Sequence, residues 1–339
     1  MRKKFCLICL MHLIFSMPLM AKNLRIISYN LENLFDCEND SVTNDDSFTP
    51  EGAHQWTEKK YRYKLNNLSK AITAAGEWEF PGIIGLCEVE NEKVVSDLIH
   101  QTQLKICGYQ YVHKDSPDRR GVDVALLYQP QQFQLIQAQF LKVDLGAELK
   151  TRDILHATGL ISNGDTLHIF VNHWPSRYGG ELESQPKRNK AAQTLRTCID
   201  SLFNTSPFSK IVIMGDFNDY PDDESLHIVL QAHSPNDSIE FNRLYNLAIP
   251  LNEKGKTGSH KFGGEWGMLD QIIVSGTLLK DSSKSKVLPN GLTICREKFL
   301  FKESSTGEMP KRAFLGTFFA YGFSDHLPVF IDLKIEKRE

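Results

Sequence analysis

Apolar residues recur at two different spacings along this chain, and the two alternate. Between 57 and 76 they fall at Tyr61, Leu65, Leu68, Ile72 and Ala75, steps of four and three that place them on one face of a helix. Thr57 stands where a capping residue belongs. The stretch 82–91, GIIGLCEVEN, is instead a continuous apolar run ending on Glu88 and Glu90, as in a strand covered on both faces. Residues 92–106 read as helix. GVDVALLYQP at 121–130 alternates as a strand does and stops at Pro130. Residues 132–143, 154–162 and 165–177 read as further strands. Ser184 and Pro186 mark the opening of a long helix, with Ala192, Leu195, Ile199 and Leu202 on its inner face.

The remaining apolar runs are strands in the same sense: LRIISYNLENLF near the start, KIVIMGDFND at 210–219, MLDQIIVS at 268–275 and SDHLPVFIDLKI at 324–335. The acidic, turn-rich segment 36–56 reads as a surface excursion. Strands alternate with helices early and cluster later, with no repeat of fixed period and no Gly/Ser linker. The pattern predicts one α/β domain over 22–339, built of two packed sheets with helices outside.

The first residues change the picture of where the chain works. Arg2, Lys3 and Lys4 precede an apolar run from Phe5 to Met17, too short to span a membrane comfortably, and Pro18 and Ala21 follow. This is the layout of a secretory signal peptide over 1–21, and it predicts export to a periplasmic or extracellular space. Its removal takes the formal net charge from −3 to −6, 36 basic against 42 acidic side chains. Nucleic-acid binders usually carry a basic footprint, so tight duplex binding is disfavoured, although a local basic patch is not. Five cysteines remain, Cys37, Cys87, Cys107, Cys198 and Cys295, none at metal-type spacing. Cys87 and Cys198 read as small buried hydrophobes.

The strands share a habit: they end on polar residues. Asn30, Glu88, His173, Asp216 with Asn218, and Asp270 close five of them, and Asp325 with His326 opens another. Burying such groups unpaired is costly, and open α/β sheets build sites at strand ends. Phosphoester cleavage needs a metal, an activated water and donors for developing charge. Glu88 is a hard carboxylate suited to Mg²⁺ or Mn²⁺, and Asn30 can hold that carboxylate, a metal-bound water or a phosphate oxygen. His326 is the best general base by residue type.

In order, SYNLENLF, GLCEVEN, VNHWPS, GDFND, LDQIIVS and SDHLPV resemble the landmarks of the endonuclease/exonuclease/phosphatase superfamily, the fold of deoxyribonuclease I, from Leu24 to about Ile335. The resemblance implies a four-layer sandwich, with helices outside two central mixed sheets. It also implies metal-dependent phosphoester cleavage. By the same resemblance Asp270 orients His326, and Asp216 orients the attacking water or the surroundings of His326. Asn218 and His173 donate to the phosphate or leaving oxygen, and Asp325 binds metal or braces the site. Asp219 is read as a cap or turn residue.

Arg177, Arg119 and Arg120 are the candidate phosphate contacts, with Arg177 the best placed by its closeness to His173. Arg188, near a helix start, hints at an anionic partner. Trp266 reads equally as a pocket wall or as core, and His260 as structural or surface. The sequence thus predicts a phosphodiesterase, nucleic acid being one candidate substrate. The alternative is a phosphomonoesterase or a lipid-headgroup phosphodiesterase, though no hydrophobic loop long enough for stable membrane insertion is evident. A monomer is expected. An inactive binding module would show broken landmarks, and none is broken.

Overall fold

The computed structural model describes residues 23–77, 79–146 and 149–336. Residues 1–21, expected from the sequence to be a signal peptide, lie outside the described residues. Strand β1 (Asn23–Leu34) leads to helix α1 (Glu58–Gly76), β2 (Ile83–Val89), α2 (Glu92–His100), β3 (Gln110–His113) and β4 (Asp123–Tyr128). There follow β5 (Phe133–Leu141), β6 (Ile154–Ile161), β7 (Thr166–His173), α3 (Glu181–Thr205) and β8 (Lys210–Asp216). Later strands include Asp270–Ser275 and Val329–Ile335.

Two seven-stranded mixed sheets result. In the first, Ser285–Val287, Val329–Ile335, β1, β2, β4 and β3 lie side by side, with Thr293–Ile294 also on Val329–Ile335. In the second the order is β5, β6, β7, β8, Asp270–Ser275, Leu244–Asn246 and Ala232–His233. Three apolar layers hold them. Leu65, Leu68 and Ile72 of α1 and Val94 and Leu98 of α2 pack with Ile27, Tyr29 and Leu86 on the outer face of the first sheet. Ile26, Ile83 and Val124 face Val171, Met214 and Ile272 between the sheets. Ala192, Leu195 and Ile199 of α3 cover Phe170, Ile211 and Ile213 on the second. This is the expected four-layer α/β sandwich.

Several boundaries differ from the sequence reading. Helix α3 begins at Glu181, so Pro186 is its sixth residue rather than its opening. The true boundary is Gly180, at φ 121°, followed by Glu181 and Glu183 in the first turn where acids are favoured. Helix 92–106 is two pieces. Thr102 ends it locally by bonding Leu104 N, and a 3₁₀ turn follows at Gln103–Ile106. The last strand starts at Val329, and Thr57 occupies the N-cap position of α1 without a side-chain bond. Strand β3 has too short a pattern to stand out in the sequence. Among the described residues no helix is long and apolar enough to cross a membrane.

Candidate active site

Register brings the strand ends together. β7 and β8 are parallel with His173 opposite Asp216, and β8 and Asp270–Ser275 are antiparallel with Asp216 opposite Asp270. Three polar residues far apart in sequence thus form one row across three strands. Gly215 permits it: its φ is 144°, and a Cβ there would lie 1.9 Å from the Asn172 carbonyl oxygen. The facing sheet adds Asn30, at the end of the regular β1–β2 pairing, and Glu88, which falls in a bulge between Cys87 and Val89. Glu88 and Asn218 have positive φ, 62° and 52°. Backbone strain of this kind at non-glycine residues concentrates at functional sites.

Asp216 is the hub. Its Oδ2 accepts from Asn30 Nδ2 at 3.0 Å and lies 3.8 Å from the Nε2 atoms of both His173 and His326. Its Oδ1 accepts from Asn218 N at 2.9 Å. His326 Nδ1 sits 2.6 Å from Asp270 Oδ2, which also accepts from Ser259 Oγ. His173 Nε2 lies 3.7 Å from Glu88 Oε1, while Glu88 Oε2 accepts from Asn33 N. The Asn218 amide donates one hydrogen to Trp174 O at 3.0 Å, leaving its second for another acceptor. Asn30 therefore braces Asp216 and not Glu88. Its Oδ1 already accepts from Glu32 N.

The electrostatics divide the roles. Burial pushes Asp216 up to about 6, with the charges of Asp270 and Glu88 adding to it and that of His326 opposing. Burial alone would lower His326, but Asp270 and Asp216 outweigh it and hold the imidazole well above its ordinary value. Burial, aided by Arg152, Arg120 and His326, keeps His173 well below its ordinary value, hence neutral. The two carboxylates thus favour the charged form of His326, and burial favours the neutral form of His173.

The sequence reading missed four contributors. His260 was read as structural or surface, yet its ring lies 4.6 Å from that of His326 and its Nε2 3.9 Å from Asp325 Oδ2. Burial, then the charge of His326, lowers it to about 4. Arg152 donates to the carbonyls of His173 and Trp174 and to Asp118 Oδ2, tying three segments together. Glu32, at φ 52°, accepts from the backbone N–H groups of Ala313 and Phe314 and from Arg312. Lys64, fully buried on α1, donates to Glu32 O at 2.8 Å. The only sequence signal for Lys64 is a charge on the apolar face of an amphipathic helix.

Other expectations need correction. Arg177 is committed within the chain, to Asp219, Asp223, Glu181 and the Asn218 carbonyl. Four acceptors surround its guanidinium, so it supports the GDFND loop instead of clamping a phosphate. Arg188 is buried and finds its anion in Asp219 at 2.6 Å. Asp219 is accordingly an ion-pair hub that also accepts from Ser225 Oγ. Arg120 is half exposed and near enough to His173 to influence it, and Arg119 lies beside it on the same loop. Trp266 packs in the core with Arg296 over its ring. Asp325, expected with Glu88, is paired to Arg312 at 2.8 Å and grouped with His260 and His326, whose ligand atoms lie within 4.8 Å of one another.

The donor set suits a hard divalent cation. Asp216 feels the charges of Asp270 and Glu88, and Glu32 that of Asp325, and Asp270 Oδ1 is buried without a hydrogen-bond partner. Carboxylate and carboxamide oxygens are the ligands Mg²⁺ and Mn²⁺ prefer.

Residues 25–335 match the model of the endonuclease/exonuclease/phosphatase family. No curated relative matches the chain. Among solved structures, zebrafish (D. rerio) TDP2, complexed with single strand DNA product, is 11% identical with a TM-score of 0.54, covering 92% of this chain and 98% of its own. The human Nocturnin catalytic domain with bound sulfate is 18% identical, TM-score 0.52, covering 92% and 94%. An endonuclease/exonuclease/phosphatase family protein from Bacteroides thetaiotaomicron is 16% identical, TM-score 0.53, covering 93% and 96%. At these identities the likeness is one of fold.

Proposed function

Because the chain belongs to the endonuclease/exonuclease/phosphatase family, we propose that it is an exported, divalent-metal-dependent hydrolase of phosphodiesters. The observation that carries this reading is the row His173, Asp216, Asp270 closed by the 2.6 Å contact between Asp270 and His326. The basic start and short apolar run of residues 1–21 support export. Glu88 would hold a Mg²⁺ or Mn²⁺ ion, whose charge would neutralise the phosphate; Asn30, whose Oδ1 also accepts from Glu32 N, and Asp325, paired to Arg312, would be the further oxygen donors.

The side chains supply the rest. Asp216, ionised above about pH 6, takes a proton from the attacking water. His326, held as imidazolium by Asp270 and Asp216, donates from Nε2 to a phosphate oxygen. Neutral His173 donates from Nε2 to the phosphate or the leaving oxygen, and the remaining N–H of the Asn218 amide to another phosphate oxygen. Arg120, close enough to His173 to act on it, and Arg119 beside it on the same loop are the arginines proposed for outer phosphates. That small number, with a net charge of −6 once the leader is removed, favours small phosphodiesters over long duplex DNA.

A lipid-headgroup phosphodiester has one observation in its favour. The hairpin of Phe314–Leu315 and Phe318–Phe319 exposes Leu315 and Phe318, with Tyr321 beside them, and its root bonds Glu32. The test is a substrate panel with Mg²⁺ and with Mn²⁺: bis-p-nitrophenyl phosphate, DNA, RNA, inositol phosphates and sphingomyelin vesicles. Turnover of the small diester at a rate comparable with DNA supports the reading. Exclusive turnover of a phosphomonoester or of vesicles would replace it with the corresponding alternative.

A further inference from the structure

A second group of ligand-type side chains lies on the other side of the β3–β4 loop, at His113, Asp115 and Asp123. One donor atom from each lies within 4.8 Å of the others. Their placement follows from the pairing. His113 closes β3 opposite Ala125, and Asp123 opens β4 two residues earlier, so both side chains project from one face of the sheet. His113 Nε2 is 3.9 Å from Asp123 Oδ2, and His113 Nδ1 is 3.9 Å from Asp115 Oδ1.

The histidine is the informative member. Its side chain is only 3% exposed, and its Nε2 is buried without any hydrogen-bond partner. A buried ring nitrogen without a hydrogen bond costs free energy, and the acceptor facing it, Asp123 Oδ2, stands 3.9 Å away, beyond hydrogen-bond reach. Asp123 Oδ1 is occupied by the backbone N–H and hydroxyl of Ser116, which turns Oδ2 toward His113. Asp115 and Asp123, with Glu90, Asp118 and Asp40, line a hollow of about 370 Å³, against which Arg119 and Lys150 are the only basic lining residues. Five carboxyl groups share that lining with the two basic side chains, and His113 meets it through Asp115 and Asp123.

We propose that His113, Asp115 and Asp123 form a second divalent-cation site, separate from the catalytic one, that pins the β3–β4 loop. One imidazole and two carboxylates suit Zn²⁺, with water completing a tetrahedron, better than Mg²⁺ or Ca²⁺, which favour all-oxygen sets. The loop so pinned carries Arg119, Arg120 and Asp118. Asp118 receives Arg152, which in turn holds the carbonyls of His173 and Trp174. Occupancy would thereby steady a loop that is tied through Arg152 to His173.

The test is Zn²⁺ titration of the protein by calorimetry, with Mg²⁺ present in excess, alongside thermal unfolding with and without Zn²⁺. Asp115→Asn is the main variant because the side chain is 80% exposed and its loss leaves packing intact. His113→Gln is the second, and Asp325→Asn controls for the cluster of His260, Asp325 and His326. One Zn²⁺ equivalent should vanish in Asp115→Asn and in His113→Gln but persist in Asp325→Asn. The Zn²⁺-dependent rise in Tm should vanish with it. A wild-type protein that binds no Zn²⁺, or an Asp115→Asn protein that keeps wild-type stoichiometry and Tm rise, would overturn the proposal. These readouts do not depend on the hydrolase reading.

Discussion

His326 Nδ1 lies 2.6 Å from Asp270 Oδ2, and the two residues are 56 positions apart in the chain. The contact is buried and shared with Ser259, so Asp270 fixes both the orientation of the ring and its proton. Residues coupled this way act as a unit, and their losses do not add. His326→Ala and Asp270→Asn should each lower kcat/KM about 10²-fold or more, and the double variant should be little worse than either. Kinetics on bis-p-nitrophenyl phosphate measure this, and fully additive losses would separate the two residues.

The pH profile should report two groups. Asp216 must be ionised, so kcat/KM should rise through about pH 6. His326 must keep its proton, so activity should fall only well above 6.5. Asp216→Asn should remove the rising arm together with most activity. If His326 were instead the base, the rate would climb through the raised imidazole value and no plateau would appear near neutrality.

Glu88 sits on a bulge at φ 62°, facing His173, with Asn33 N fixing one oxygen. Glu88→Gln keeps the shape and removes the charge. Mg²⁺ should bind at least about tenfold more weakly, a common scale for disrupting a metal site, and activity at limiting Mg²⁺ should be largely lost. Calorimetric Mg²⁺ titration of the folded variant decides it, and unchanged affinity would move the metal elsewhere.

Much of this site was legible in the sequence because strand ends carry their signal locally. An apolar run that stops on GDFND or SDHLPV declares both a strand and a cluster, and Gly215 is the residue that lets that turn approach Asn172. What could not be read was pairing across space. Arg177 looked like a phosphate clamp because it follows HWPS, but its partners Asp219 and Asp223 lie about forty residues on. His260 joined the site through a bridge to His326, which no local pattern announces. Pro186 misled because proline is best tolerated in the first turn of a helix, whereas here the helix begins five residues earlier, after Gly180, and runs through the proline.

Lys64 and Glu32 show the same limit, and they carry a stability prediction. Lys64 is wholly buried beneath the site, bonded to Glu32 O and 4.9 Å from the Phe314 ring. Burial lowers Lys64 to about 8 while Glu32 and Asp325 hold it up, and burial raises Glu32 to about 8. Lys64 bonds the backbone carbonyl of Glu32 and not its carboxylate, and leaving a buried acceptor unsatisfied typically costs about 1–3 kcal/mol. Lys64→Ala should therefore lower unfolding stability by about 1–3 kcal/mol in a denaturant titration. An unchanged midpoint would show that the pair is not coupled.

The central claim is that the Asp216 hub hydrolyses phosphodiesters with a divalent metal. The most direct measurement is the initial rate on bis-p-nitrophenyl phosphate by wild type and Asp216→Asn, each with Mg²⁺, with Mn²⁺ and with excess EDTA. Wild-type turnover that EDTA abolishes and added metal restores, together with at least about a 10²-fold loss in a folded Asp216→Asn protein, is the predicted result. Turnover that survives EDTA, or an Asp216→Asn protein as active as wild type, would contradict it.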